Sequence, residues 1–167
     1  SVIDNFTIRN GSADNGGAIL CDNSSSPMVI DCVFSGNSAN DYGGAIYCVN
    51  SSSPTLVNCT FSDNSAGGDG GAIRCDGSSL AVTNCTFCRN RSGWDGGAIY
   101  CDGSGLCVVD CVFSENKATG GNGGALCCGN SSSPTLTGCR FSGNSTKFNG
   151  GAIYCDGSSP TATNCIF

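Results

Sequence analysis

One six-residue motif, Gly-Gly-Ala-Ile-x-Cys, occurs six times along the chain and limits what the chain can fold into. The cysteines that end the motif lie 26 or 27 residues apart, and one copy carries Leu126 in place of isoleucine. A period of this length is typical of solenoids, in which each repeat buries its apolar side chains against its neighbours. The repeats begin near residues 16, 43, 70, 96, 123 and 150. We therefore treat residues 1–167 as one repeat region and expect it to be a segment of a longer protein.

Each repeat divides into three short strands separated by turns. In the motif strand, Ile46 and Cys48 alternate with Tyr47, so that isoleucine and cysteine are predicted to point inward and tyrosine outward. After a turn rich in serine, a second strand ends at a single Asn, Asp or Gly, residues that tolerate a left-handed backbone and so predict a one-residue corner. The third strand follows at once and begins with Cys-x-Phe. A polar linker without predicted structure closes the repeat.

Strands that recur once per repeat, with no helical period between them, predict an all-β fold of the parallel β-helix type. In this solenoid each coil adds a single strand to each sheet. It should have about six coils of 26–28 residues. An asparagine stands three residues after each phenylalanine, and one such residue per coil is expected to build a hydrogen-bonded side-chain ladder along the rod. The predicted ladder consists of Asn37, Asn64, Asn90, Asn116 and Asn144.

The first repeat is less regular than the others. Asp4 is predicted to form its corner and Asn10 to occupy the ladder position, because their spacing of six residues matches the later repeats. Asn5 then replaces the strand cysteine and Phe6 is displaced. This coil is expected to pair imperfectly with the next.

Two motifs, GGAI and FxxN, alternate on one period over nearly the whole chain, for example at 43–46 and 61–64. In this alternation the chain resembles the chlamydial polymorphic outer-membrane proteins, and it is similar to autotransporter-like parallel β-helix surface proteins. The resemblance implies a right-handed β-helix that is secreted, displayed at the cell surface and used in adhesion. The repeats here are more uniform than those of the chlamydial proteins, which favours a structural role.

Fifteen cysteines in a chain without histidine favour a secreted, disulfide-containing protein over a zinc protein, since short Cys-x2–4-Cys pairs do not form a series. Twelve of the cysteines fall into six pairs, one pair per coil, and three arrangements are open to them. The two members of a pair can form a disulfide within their coil, worth roughly 2–3 kcal/mol. Alternatively, cysteines of successive rungs can form disulfides, or all of them can remain buried thiols. We favour the first alternative. The pairs are Cys21 and Cys32, Cys48 and Cys59, Cys75 and Cys85, Cys101 and Cys111, Cys128 and Cys139, and Cys155 and Cys165.

Three further cysteines, Cys88, Cys107 and Cys127, lie outside this pattern. They occupy positions that hold outward-facing residues in the other repeats. We expect them to face solvent, where they remain unpaired or contact another chain.

The charge and the composition exclude some functions. A net charge of −6 and an isoelectric point near 4.2 argue against nucleic acid as a partner. No stretch approaches the ~20 apolar residues of a transmembrane helix. Carboxylates do recur after the motif cysteine, but residues repeated in every coil are usually architectural, and no nucleophile and base stand together. We expect no enzymatic activity, no cofactor and no metal site.

Tyr47, Arg74 and Tyr100 are predicted to stack on consecutive rungs of one outer face, with Trp94 in a nearby turn. We call these four residues the outer strip. The strip is the candidate contact surface for a protein or a glycan, although a cation–π ladder that only stabilises the sheet is the favoured interpretation. Paired Thr-x-Thr segments at 135–137 and 161–163 raise ice binding as a further, less favoured alternative.

Asn-x-Ser/Thr sequons are frequent, and in a eukaryotic secretory pathway some are possible N-glycosylation sites. Those at Asn58 and Asn84 lie in the tight corners and are poor candidates. The remaining sequons are at Asn5, Asn10, Asn23, Asn50, Asn90, Asn130 and Asn144.

Together these observations predict a non-enzymatic, secreted, adhesin-like rod at the cell surface, reinforced by disulfides. The alternative is a segment of a self-assembling extracellular fibre, in which copies of the chain pair end to end through the open strand edges of their first and last coils.

Overall fold

The computed structural model describes residues 1–167, which form 25 β-strands and no helix. All strand pairs are parallel, and the strands stack into four sheets, named A to D, that run along a rod. The chain passes through A, B, C and D in turn and returns to A one rung further along. The predicted all-β parallel β-helix of about six coils is confirmed. The structure has no helix that is long and apolar enough to cross a membrane.

The strands of each sheet follow one another at one per coil. Sheet A contains β1 (Val2–Asp4), β5 (Met28–Ile30), β9 (Thr55–Val57), β13 (Ser79–Thr83), β17 (Gly105–Val109), β21 (Thr135–Thr137) and β25 (Thr161–Thr163). Sheet B contains β2 (Thr7–Arg9), β6 (Val33–Ser35), β10 (Thr60–Ser62), β14 (Thr86–Cys88), β18 (Val112–Ser114) and β22 (Arg140–Ser142). Sheet C contains β3 (Ser12–Asn15), β7 (Ser38–Tyr42), β11 (Ser65–Ala66), β15 (Arg91–Ser92), β19 (Lys117–Ala118) and β23 (Ser145–Thr146). Sheet D contains β4 (Ile19–Cys21), β8 (Ile46–Cys48), β12 (Ile73–Asp76), β16 (Ile99–Asp102), β20 (Leu126–Gly129) and β24 (Ile153–Cys155).

The core is a set of columns that fill the inside of the rod. Neighbouring strands pair in register, so that Ile73 lies level with Ile46 and Phe61 with Phe34. The phenylalanine rings from Phe34 to Phe167 stack with centroids 4.7–5.0 Å apart and planes within 7° of parallel. All of these side chains except that of Phe167 are buried, and each buried ring contributes about 1.5–3 kcal/mol. The predicted inward rows of Ile, Cys and Phe are confirmed, and stability comes from like residues packed on like.

The one-residue corner between sheets A and B is confirmed. Its residues have φ values of 51° to 66°, in the left-handed region that Asn, Asp and Gly adopt most readily. The corner residues are Asp31, Asn58, Asn84, Asp110, Gly138 and Asn164.

The double glycine of the motif serves two separate steric needs. Gly70 has a φ of 69°, and a Cβ there would lie 2.2 Å from the carbonyl oxygen of Ile73. Gly71 has no positive φ, but a Cβ there would lie 2.1 Å from the carbonyl oxygen of Gly97 on the next rung. The first glycine therefore permits the turn, and the second permits neighbouring rungs to approach.

The prediction of three strands per coil is wrong, because the polar linker contains a fourth strand, that of sheet C. Most of these strands have only two residues, and none of the two-residue strands carries a large apolar side chain, so they show no apolar alternation in the sequence. They are held by backbone hydrogen bonds between rungs, such as that from Ser65 N–H to the Asn37 carbonyl at 2.9 Å. This fourth strand brings the linker side chains into line with one another along the rod.

The assignment of the first coil is also wrong by one residue. Asp4 pairs with Ile30 inside sheet A, and Asn5, with a φ of 58°, is the corner. Phe6 then stands at the position of the strand cysteine, and Ile8 lies level with Phe34. The ladder level falls on Gly11, whose N–H donates to Asn37 Oδ1 at 2.9 Å. The register of the first coil is set by Ile3 and Ile8, which must point inward. This requirement outweighs the six-residue spacing of Asp4 and Asn10, on which the prediction was based.

Candidate functional site

The predicted asparagine positions lie in one column inside the rod. The Nδ2 group of each residue donates to the Oδ1 atom of the next at 2.9–3.0 Å, from Asn37 through Asn144. Each Nδ2 also donates to a backbone carbonyl of the preceding coil, and Oδ1 also accepts a backbone N–H. The first four of these side chains are fully buried. Every polar group of a buried amide is therefore satisfied, as such burial requires.

Two of the predicted glycosylation sites, Asn90 and Asn144, are wrong because their side chains belong to this column. Asn90 is 0 % exposed, and its Nδ2 atom, to which a glycan would be attached, donates to Phe61 and Asn116. Asn144 is engaged in the same way with Phe113. At these two positions the asparagine of the sequon is also the buried asparagine of the ladder, so it cannot accept a glycan. The other five sequon asparagines are exposed at turns with φ of 43–58°: Asn5, Asn10, Asn23, Asn50 and Asn130.

Twelve of the fifteen cysteines form two columns inside the rod. The first column lies in sheet D and the second at the start of sheet B. The favoured pairing within a coil is not supported, because a strand of sheet A separates the two members, and three extended residues alone span about 10 Å, beyond disulfide reach. The thiols that approach each other belong to successive rungs, as for Cys48 with Cys21 and Cys75. The columns are linear, and no three of their thiols converge as metal ligands.

The second column has a hydrogen-bonding role that the first column lacks. The Cys85 thiol donates to the carbonyl of Thr83 at 3.2 Å, and its sulfur accepts the N–H of Cys59 at 3.2 Å. The same pattern holds at Cys111, which donates to Val109. Burial raises the pKa of the Cys139 thiol to about 11. Cysteine at this position thus hydrogen-bonds to backbone groups beside the corner.

The three cysteines outside the columns differ in exposure. Cys107 is exposed and Cys88 is half-buried, with the Arg89 guanidinium donating to its sulfur at 3.1 Å. Cys127 faces outward between Tyr100 and Tyr154, yet it is only 3 % exposed. The expectation that Cys127 is solvent-accessible is therefore wrong, because the bulkier side chains on either side cover it.

Arg74 lies at the centre of the outer strip and is bound within the molecule. Its Nε atom donates to Asp76 at 2.8–2.9 Å, and its Nη1 atom pairs with Asp69. The guanidinium lies 3.9 Å from the ring centroid of Tyr42 and 4.8 Å from that of Tyr100. Only 12 % of the side chain is exposed. Arg74 therefore stabilises the surface and has little area left for a ligand.

The tyrosines of the outer strip belong to the same network. The Tyr47 hydroxyl donates to Asp76 Oδ2 at 2.8 Å, and burial together with this bond raises the pKa of Tyr47 to about 12. Burial also raises the pKa of Asp69, against the opposing effect of Arg74. Tyr47, Arg74 and Tyr100 thus form an internal ladder, and Trp94 is not part of it.

Trp94 instead faces a groove that the sequence did not reveal. The indole is 63 % exposed, and the groove, of about 450 Å³, lies between it and Tyr42. One signal was available: Tyr42 stands directly before a double glycine, where the other repeats have Asn or Asp, as at Asp69.

Comparisons with protein families agree with this architecture. The model of the right-handed beta helix region matches residues 1–106, more than half of the chain. The chain belongs to this family. The Chlamydia polymorphic membrane protein repeat matches residues 110–129 and 138–156, which include the GGAL copy of the motif and its partner FxxN. Searches of curated proteins and of solved structures returned no match.

These matches confirm the resemblance and the right hand of the β-helix. The two matches together suggest a surface-exposed, autotransporter-like protein, and the repeat family points to the outer membrane or the cell surface.

Proposed function

We propose that this right-handed β-helix is a secreted, non-enzymatic adhesin segment, a rod that presents a binding surface away from the cell that displays it. The observation that carries the proposal is the groove beside Trp94. Most large apolar side chains between the two end coils are buried in the columns, whereas this indole is held in solvent beside a second aromatic ring. An exposed aromatic group in a concave site is typical of a contact residue.

The absence of enzymatic activity remains part of the proposal, and the carboxylates of the outer face support it. Asp76 is occupied by Arg74 and Tyr47, and Asp69 by Arg74 and a backbone N–H. A pair of carboxylates acting as acid and base would need free access to a substrate. In this network their charges instead hold the strip together.

We further propose that disulfides reinforce the rod through the first thiol column, between successive rungs. Two in-register thiols, such as those of Cys48 and Cys75, lie on neighbouring strands about 4.8 Å apart, which is within the Cα range of a disulfide. Oxidation would form one S–S bond, with two protons and two electrons passing to a thiol–disulfide oxidoreductase. The second column would remain reduced, because its S–H groups donate to corner carbonyls.

Adhesion is tested by coating beads with the intact chain and counting the beads that attach to cell monolayers. We expect the wild-type chain to attach and the double variant Tyr42→Ala/Trp94→Ala to lose most of its attachment. The matched control, Thr135→Ala/Thr161→Ala, changes two outward residues of sheet A and should attach as the wild type does. Equal attachment by all three proteins would contradict adhesion through the groove, and no attachment by the wild type would contradict adhesion itself.

The absence of enzymatic activity is tested by incubating the chain with a panel of polysaccharides and assaying new reducing ends, of which none are expected. Accumulation of reducing ends, abolished by Asp76→Asn, would overturn this part of the proposal.

A further inference from the structure

The groove beside Trp94 is built from three successive coils. Gly68 N–H donates to the carbonyl of Asp41, and Trp94 N–H donates to the carbonyl of Gly68, so these three residues occupy one position on neighbouring rungs. The middle rung carries no side chain there, so the Tyr42 ring can lie over Gly68, and the recess lies between this ring and Trp94. Two rungs span about 9.6 Å, enough to admit one flat six-membered ring.

The walls of the recess combine apolar and polar groups. Tyr42 is 36 % exposed, and its ring leans over Gly68, where an added Cβ would lie 2.8 Å from a ring carbon. Arg74 packs on this ring and keeps it in place. The remaining wall consists of hydrogen-bonding residues: Asn40, Asp41, Asp69 and Asp95.

Acceptors predominate among these polar groups. Asp41 is exposed and takes part in none of the three ion pairs of the chain. Asp95 uses Oδ1 to accept from Asn122. A ligand that fits the groove must therefore bring several donors to carboxylate oxygens and, in addition, an apolar face to the indole. A sugar ring offers both, since its hydroxyl groups donate and its C–H face packs on an aromatic ring.

The local charge limits which sugars fit. Three carboxylates, those of Asp41, Asp69 and Asp95, line the groove, and the Arg74 guanidinium pairs with only one of them, Asp69, and with Asp76 outside the groove. The whole chain carries a net charge of −6. A carboxylate or sulfate group on the ligand would be repelled at short range, whereas a hydroxyl or ammonium group would not.

We propose that the groove between Tyr42 and Trp94 is a saccharide-binding site that accepts neutral and amino sugars and rejects acidic ones. This inference rests on the proposed adhesive function and names its ligand class. Trp94 is the stacking platform, and Asp41 is the free acceptor that gives amino sugars their advantage.

The test is calorimetric titration of the intact chain with three probes of equal length: a neutral oligohexoside, an oligoglucosamine and an oligouronate. We expect the first two to bind and the oligouronate not to bind. Trp94→Ala should weaken binding about tenfold or more, since a central aromatic contact is commonly worth that much. Asp41→Asn should weaken oligoglucosamine binding while neutral binding stays within about threefold.

Phe148→Ala is the matched control, because Phe148 is 61 % exposed on the same side of the rod and lies outside the groove. It should bind all three probes as the wild type does. The inference is overturned if Phe148→Ala weakens binding as much as Trp94→Ala does, if the oligouronate binds best, if an oligolysine peptide binds in place of the sugars, or if no sugar binds. Attachment of coated beads that persists without sugar binding would reject the saccharide site alone, whereas sugar binding without attachment would reject adhesion alone.

Discussion

The guanidinium of Arg74 lies 3.9 Å from the centroid of the Tyr42 ring, which belongs to the preceding coil. This contact divides the outer face into two parts with different roles. On one side, Tyr47, Arg74 and Tyr100 are tied to one another and to Asp76. On the other side, the free face of Tyr42 and the indole of Trp94 border the groove. The same ring thus ends the structural ladder and begins the candidate binding site.

Replacing Arg74 by alanine is expected to destabilise the rod. The change removes both aromatic contacts and leaves Asp69 and Asp76, largely buried, without their cation. We expect the free energy of unfolding, measured in urea, to fall by roughly 2–4 kcal/mol. In the matched variant Arg89→Ala, the lost pair with Asp63 is about half exposed, so stability should not change measurably. Equal losses in the two variants would contradict the structural role of Arg74.

The asparagine ladder should be among the most sensitive features of the chain. Asn90→Ala removes two donors and one acceptor. The Asn64 backbone N–H and the Phe61 carbonyl lose the Asn90 side chain as a partner, and Asn64 Nδ2 and Asn116 Oδ1 each lose one of two hydrogen bonds. Because each such group costs about 1–3 kcal/mol, we expect a loss of roughly 3–5 kcal/mol in urea denaturation. Asn149→Ala, at an exposed asparagine, serves as the control and should cost far less. A small loss at Asn90 would mean that water replaces the ladder.

The two kinds of glycine in this fold should respond differently to alanine. At Gly71, a Cβ would lie 2.1 Å from the carbonyl oxygen of Gly97, so two rungs must separate. Gly71→Ala is therefore expected to prevent folding or to lower the thermal midpoint by more than ten degrees, on the order of 3 kcal/mol. Gly77 has a φ of 53° and open space around its Cβ position, so alanine there should cost only about 1 kcal/mol of backbone strain. Circular dichroism melts of the two variants compare them, and similar melting curves would contradict the close approach of the rungs.

The accessible thiols are expected to be few. Cys107 is exposed and should react with a maleimide in the native protein, whereas Cys127 should not, being 3 % exposed with a pKa raised by burial. Mass spectrometry of peptides after brief labelling identifies the modified residues. Rapid labelling of Cys127 would contradict its cover by Tyr100 and Tyr154.

Oxidation of the thiol columns can be measured on material exported from cells. Denaturation without reductant, followed by alkylation and peptide mapping, should give disulfide-linked peptides from the first column only, such as Cys48 with Cys75. Links between Cys48 and Cys59 would instead restore pairing within the coil. Recovery of all fifteen cysteines as free thiols would contradict the proposed disulfide reinforcement.

The columns inside the rod could be predicted from the sequence because alternation along a strand decides which side chains point inward. Ile46, Cys48 and Phe61 repeat at fixed positions, so their stacking follows from the period alone. Sheet C could not be predicted, because strands such as Ser65–Ala66 have no apolar pattern and are held by backbone bonds between rungs.

The groove was hidden for the same reason. It depends on the rung-to-rung alignment of linker residues, which places Tyr42 and Trp94 on either side of the side-chain-free Gly68. The thiol columns follow from the period, but pairing within a coil was favoured because the two cysteines are close in sequence. The intervening strand of sheet A keeps Cys48 and Cys59 apart. In the linkers, only the three-dimensional register reveals which residues of different coils are neighbours.

If the protein acts through the groove on its outer face, the fluorescence of Trp94 must respond when a ligand binds there. Trp94 is the single tryptophan of the chain, so its emission reports on this site alone. Without ligand, we expect emission typical of an exposed indole, quenched more strongly by caesium than by iodide because the surrounding charge is negative. A neutral or amino oligosaccharide should shift the emission to shorter wavelength and protect it from quenching, in a saturable manner. Emission that is already shielded without ligand, or that no saccharide alters, would show that the groove is not a saccharide-binding site.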